Sequence, residues 1–235
     1  MLHTSSLRLA SLPRVLPLAL ALCGAAACNS VETGANGLVQ FTPDDCGRAW
    51  CDLDDRLALG GLTDVSLDGV DGASVSDLHV ETSAPWIADV VADAGTFEPR
   101  ATIEGTGLGF VDLLAVDDWG YVVDFYTIEV AAPDELAVDV IGAAVDGPHP
   151  AEGVDDLYFV GADSRITIDV SALADGSELM GRLGYSVFLD QAMFAAVEPG
   201  DDITDGHFAL RAPAGEHTVT IVSTTASRTI HLSAN

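Results

Sequence analysis

The most reactive side chains of this chain are four cysteines, Cys23, Cys28, Cys46 and Cys51. In CGRAWC, Cys46 and Cys51 are separated by four residues. In an oxidising compartment that spacing predicts a local disulfide closing a small loop around Trp50. A thiolate metal pair is the alternative, but no second cysteine pair and no histidine nearby in sequence completes a tetrahedral set. A thioredoxin-type redox site needs two residues between its cysteines. Carboxylates come next. In EPGDDITDG, Asp201, Asp202 and Asp205 stand among glycines on a loop that could gather oxygen ligands for calcium, although the spacing departs from an EF-hand. The competing role is that of turn formers and solubilising charges. A hydrolase built on paired carboxylates would need a cleft, and remains a remote third reading.

Histidines suggest no catalytic or metal constellation. His79 alternates with Leu78 and Val80, and His231 with Ile230 and Leu232, so both are expected to face solvent. His217 shares the parity of Val219 and Ile221 and belongs at the rim of an apolar face. If the last two strands pair, His217 and His231 point to opposite faces. The glycines of GTGLGF (105–110) have strand-like runs on both sides, where a dinucleotide loop needs a helix after it.

Charge removes further classes. Lys+Arg is 9 against Asp+Glu 37, a net charge of -28, and every basic residue is an arginine. Without lysine there is no Schiff-base residue and no P-loop lysine. So acidic a body offers nucleic acid no cationic surface. It would also be repelled by an anionic membrane, so bilayer attachment has to come from an anchor. No cofactor is implied.

The amino terminus supplies a candidate anchor. Residues up to Arg14 carry Arg8 and no acid, and Val15–Ala27 (VLPLALALCGAAA) is uncharged, too short to span a bilayer and interrupted by Pro17. Ala25, Ala26 and Ala27 then precede Cys28. This resembles a bacterial lipoprotein signal peptide, with Ala25 in place of the usual leucine. The resemblance implies cleavage after residue 27 and acylation of Cys28 as the mature terminus, with the lipid bilayer as a partner. Asn29 in place of aspartate favours the outer membrane over the inner. Ordinary secretion is the rival, since three alanines also suit a small-x-small cleavage site. Cleavage leaves three thiols, and lipid on Cys28 frees the other two to pair.

Residues 28–45 show no period and read as a flexible tether. Beyond Leu57, short runs of Val, Ile, Leu, Phe and Tyr alternate with polar residues and are cut by Gly, Asp and Pro, the pattern of an antiparallel sandwich or barrel. The best helical stretch is SALADGSELMGRL (171–183), weakened by two glycines; MFAAVEPG (193–200) reads as strand. Pro133 marks a boundary, which predicts an all-β chain of two domains, 46–133 and 134–235. GLGFVDLLAVDDWGYVVDFYTIEVAAP (107–133) resembles the last hairpin of a bacterial immunoglobulin-like domain, with Asp117 and Gly120 in its turn. APAGEHTVTIVS (212–223) resembles the penultimate strand of another. The resemblance implies tandem immunoglobulin-like sandwiches, a fold shared by adhesins, spacers and accessory domains.

The sequence thus predicts a non-catalytic binding, adhesion or spacer module of the cell envelope, its partner another envelope protein or a glycan. A calcium- or glycan-binding surface module is the alternative. Trp86, Trp119 and Tyr121 are the loop aromatics able to form a contact patch. The Cys46–Cys51 bond is expected to contribute about 2 kcal/mol on the chain-entropy estimate. Intact-mass analysis of exported protein alkylated without reduction should leave both cysteines unlabelled; labelling at both rules the bond out.

Overall fold

The computed structural model of the protein describes residues 32–45, 53, 55–93, 99–142, 156–197 and 206–235. Nine strands come first: β1 Glu32–Thr33, β2 Val39–Asp45, β3 Leu57–Ala58, β4 Leu62–Gly69, β5 Leu78–Thr82, β6 Ala88–Asp93, β7 Arg100–Gly105, β8 Gly109–Asp117 and β9 Val122–Ala131. Strict alternation explains their faces. In β4, Thr63, Val65 and Leu67 are buried while Asp68 is exposed. The strands form two sheets, ordered β1-β2-β4-β7-β6 and β3-β9-β8-β5. Phe41, Val65, Ile103, Leu113 and Ile128 fill the core between them. This order matches the ABED and GFC sheets of an immunoglobulin-like sandwich.

The remaining strands are β10 Glu135–Gly142, β11 Leu157–Val160, β12 Ser164–Ala174, β13 Ser177–Glu178, β14 Ser186–Leu189, β15 His207–Ala212, β16 Gly215–Val222 and β17 Ser227–Ala234. Here β12 pairs with β10, β13 and β15 in one sheet, and the other runs β11-β17-β16-β14. A second core, with Leu136, Ile168, Phe208, Ile221 and Ile230, lies between them. The fold is all-β with mainly antiparallel pairing, as expected. Two pairs are parallel, β3 with β9 and β11 with β17. In each, a short strand crosses to the opposite sheet and runs beside the final strand of its sandwich.

Three expectations are corrected. Residues 32–45 are not tether: they supply β1 and β2, and Val39 and Phe41 are buried in the first core. Their alternation is brief, and Pro43 disguises it as loop. The stretch 171–183 is not helical, because Asp175 (φ 52) and Gly176 (φ 75) form a tight turn between β12 and β13. An Asp-Gly pair with both residues at positive φ suits a hairpin and ends any helix. Conversely, part of 193–200 is helical, α1 Gln191–Ala195, because Asp190 caps it by accepting from the Ala192 and Met193 N–H groups, both at 2.9 Å.

The segment after β13 joins the two cores. Leu179 belongs to the second core, whereas Met180 is fully buried in the first. Backbone pairing holds it there. Ala58 N–H donates to Met180 O at 2.9 Å, Met180 N–H to Arg56 O at 2.9 Å, and Leu62 and Arg182 exchange bonds of 3.0 and 2.7 Å. Gly181 sits at φ 107, and a Cβ there would lie 2.9 Å from Leu57 Cδ1. Arg56 adds an ion pair to Asp175 at 3.2 Å, and Arg182 one to Asp64 at 3.4 Å. Truncating Met180→Ala should therefore cost about 2–4 kcal/mol. Hydrogen exchange should show the loss in β4 and β7, across the junction from Met180's own strands. Loss confined to β12 and β13 would contradict this packing.

Candidate functional site

The β8–β9 hairpin carries Trp119, the most exposed aromatic side chain among the described residues, and Tyr121 beside it. Asp117 builds its turn: one carboxylate oxygen accepts from the Trp119 N–H at 3.0 Å and the Tyr121 N–H at 2.8 Å. Its carbonyl accepts from Gly120 at 2.9 Å, and Gly120 takes φ 82, which favours glycine. With its backbone pinned, the turn pushes Trp119 and Tyr121 into solvent, 82% and 71% exposed.

Two further loops meet this turn. One is the β1–β2 hairpin, held by Asp124, which is fully buried. Its Oδ1 accepts from Asn36 N–H at 2.7 Å and Phe125 N–H at 2.9 Å, and its Oδ2 from Leu38 and Val39 N–H at 2.8 and 2.9 Å. A Cβ at Gly34 would lie 2.5 Å from Oδ1, so only glycine passes there. Burial resists the charged carboxylate, but the four backbone donors outweigh it and hold Asp124 below the ordinary aspartate range. The other loop follows β4, where Asp71 (φ 55) and Gly72 (φ 79) turn the chain back.

Between the three loops opens a cavity of about 450 Å³. Leu38, Val70, Val75, Leu78 and Val123 form its apolar walls beside Trp119, and Asp71, Asp77 and Asp117 also line it. No histidine or cysteine is in that lining; Ser74 Oγ lies 3.1 Å from Ser76 Oγ, which in turn donates to Asp77 Oδ1 at 3.1 Å. The loops following strands β4 and β8 correspond to the B–C and F–G loops, which form the recognition end of immunoglobulin variable domains.

Of the aromatic candidates, Trp119 and Tyr121 share this end and Trp86 does not. Trp86 is 73% exposed beside Gly107, just before β8 begins. The length of β8 puts it roughly 27 Å from the Trp119 turn. Leu38, Asp71 and Asp77 were not candidates from the sequence. The Asp71-Gly72 pair signals a turn, but nothing local says that the turn faces Trp119.

His79 pairs with Glu81 at 3.1 Å, and His231 is exposed. His217 sits buried at the rim of the second core, between Asp190 Oδ2 at 2.9 Å and the Pro213 carbonyl at 2.8 Å. Burial opposes ionisation of Asp190, yet the Met193 and Thr218 N–H groups and His217 hold its carboxyl below the ordinary range. His217 and His231 lie on opposite faces of the β16–β17 pair, where His217 is in register with Leu232. Among the described residues, no group of three or more His, Cys, Asp or Glu could hold a metal, and no helix is long and apolar enough to cross a membrane. Cys28, Cys46, Cys51, Asp201, Asp202 and Asp205 lie outside the described residues.

No protein-family model and no curated protein matches the sequence. Among solved structures, the chain aligns over 88% of its length with the Escherichia coli adhesin FdeC, at 17% identity and a TM-score of 0.30, covering 66% of that chain. A 282-residue C-terminal fragment of intimin, solved with the intimin-binding domain of its translocated receptor, gives 14% identity, a TM-score of 0.32 and coverage of 88% and 64%. Domains 5–6 of the S-layer protein SbsC give 12%, 0.30, 88% and 99%. The chain thus spans just under two thirds of the FdeC and intimin chains. Likenesses at this level carry no argument of their own; the strand order establishes the fold.

A depressed carboxyl contributes stability that is complete above its unfolded pKa and is lost as pH falls through the lower folded value. The β1–β2 hairpin should therefore keep its hydrogen-exchange protection at neutral pH and lose it in acid, below the ordinary aspartate range. In Asp124→Asn the amide group faces N–H donors, so protection should fall by about 3 kcal/mol at neutral pH and vary little with acid. A variant as stable as the parent at pH 7 would contradict the clamp.

Proposed function

We propose that this chain is a lipid-anchored, non-catalytic binding module of a bacterial cell envelope, engaging its ligand through the Trp119–Tyr121 end of the first sandwich. One observation carries the reading: two exposed aromatic side chains stand on a turn that Asp117 holds rigid, beside a cavity with apolar walls. Rigid aromatics of this kind contribute large contact areas at small entropic cost.

The anchor is Cys28, in keeping with the small residues before it and the uncharged run of Val15–Ala27. Because β1 begins at Glu32, only residues 29–31 separate Cys28 from the first sheet. Such a segment reaches about 10–14 Å when extended, which keeps the sandwich near the bilayer. Asn29 leans the assignment towards the outer membrane.

Two measurements test the two halves. Cys28→Ala should release the protein from the membrane fraction; retention with unchanged detergent partitioning overturns the anchor. Labelled full-length chain should bind envelope preparations about tenfold more weakly as Trp119→Ala/Tyr121→Ala, a loss of about 1.4 kcal/mol. Trp86→Ala, at the opposite end, should bind like the parent. Equal binding by all three chains removes the site from that end.

A further inference from the structure

We infer that the ligand of this end is cationic: a partner polypeptide segment that places a lysine or arginine beside an apolar side chain. The inference rests on the Trp119–Tyr121 end being the ligand site and names the chemistry it takes. Asp71, Asp77 and Asp117 line the cavity, and no arginine or histidine does. The arginines of the first sandwich and the junction are engaged elsewhere: Arg100 with Asp44 and Asp64, Arg182 with Asp64, and Arg56 with Asp175. Asp117 Oδ1 is taken up by the Trp119 and Tyr121 N–H groups and Asp77 Oδ1 by the Ser76 hydroxyl, but no cation in the lining balances the three charges, in a chain whose net charge of -28 draws cations from a distance.

The apolar half of the ligand follows from the walls. Leu38, Val70, Val75, Leu78 and Val123 offer nothing to a charged group, but they suit the methylene stem of lysine or arginine and a neighbouring aliphatic side chain. The Trp119 face, next to those carboxylates, attracts a cation as well. Leu38, Tyr121 and Val122 remain exposed (52%, 71% and 49%), which extends the surface past one side chain and favours a polypeptide over a small amine. A sugar fits less well. Saccharide hydroxyls can donate to the aspartates, but their oxygens also need donors, and the lining's side-chain donors are the Ser74 hydroxyl, shared with Ser76, and the Trp119 indole N–H.

The test uses the full chain, ¹⁵N-labelled in detergent, and follows the Trp119 indole N–H signal, assigned by its loss in Trp119→Phe. The probes are a glycine-capped Leu-Lys-Arg-Leu peptide, its Leu-Glu-Glu-Leu counterpart and cellohexaose. The basic peptide should shift the Trp119 signal saturably. Its affinity should fall about tenfold or more in Asp71→Asn/Asp77→Asn, a change that preserves side-chain shape and suits the Asp71 backbone conformation. The acidic peptide and the oligosaccharide should leave the signal in place. If cellohexaose moves it and the basic peptide does not, the end binds a ligand and the cationic class is wrong. If the basic peptide shifts all indole signals alike, or binds the double variant equally, the effect is diffuse charge and the inference fails. If no probe moves Trp119, the cationic class fails; the site itself falls only if Trp119→Ala/Tyr121→Ala also leaves envelope binding unchanged.

Discussion

A single buried carboxylate organises the Trp119–Tyr121 end of the first sandwich. Asp124 takes four backbone N–H bonds, three of them from the β1–β2 hairpin and one from its own strand. An isolated carboxylate in an apolar core is costly, and several aligned donors are what make it tenable. The bonds run from one sheet to the other, so the carboxylate stitches the edge of the first sheet to β9 in the second. Leu38 and Val39 on one side of the cavity, and Val123 on the other, are thereby fixed at once. Gly34 fits the same constraint, because a side chain there would occupy the space of the carboxylate. Without this bridge β1, two residues long and paired to β2 alone, would have little to hold it on the sheet edge.

The opposite end of the first sandwich has a different task. There Met180, contributed by the segment after β13, completes the first core, and backbone bonds to Arg56, Ala58 and Leu62 lock the segment in place. The two sandwiches therefore share packing and hydrogen bonds beyond the single covalent crossing at residues 132–134. A junction of this kind resists bending more than a glycine-serine linker would. It lies at the far end of β8 and β9 from Trp119, which leaves the aromatic turn clear of the second sandwich.

Charge is divided between these ends in a way that composition alone does not reveal. The arginines serve the fold: Arg56 and Arg182 at the junction, Arg100 on the first sheet, and Arg228 on Glu135 and Asp156 in the second sandwich. Exposed pairs of this kind add little stability each, but they consume the few cations available. Carboxylates at the cavity are left without arginine or histidine in the lining. A chain without lysine has few other means of compensating them, so these three carboxylates keep their negative charge at the cavity.

Much of the architecture was legible in the sequence because it is local. Alternation in β4, β8, β9 and β16 has the period of the pleat, and Asp117 with Gly120 has the chemistry of a turn. The solvent side of His79 and His231 and the rim position of His217 followed from parity alone. Two misreadings were local as well: the Asp175-Gly176 pair was a hairpin signal inside a helix-like composition, and Asp190 was a helix cap before a strand-like run. What tertiary structure decided is of another kind. Asp124 looks like any polar residue in a strand until the hairpin 86 residues earlier in the chain, at Leu38, brings its N–H groups to it. Met180 reads as a residue of the second domain until backbone pairing seats it in the first core. Trp86 and Trp119 are alike as sequence and fall at opposite ends of one strand, while Asp71 and Asp77 become neighbours of Trp119 only through the cavity. Periodicity encodes which face a residue takes, because that depends on its neighbours in the chain; which distant loops converge depends on sheet pairing across tens of residues, which no local pattern records.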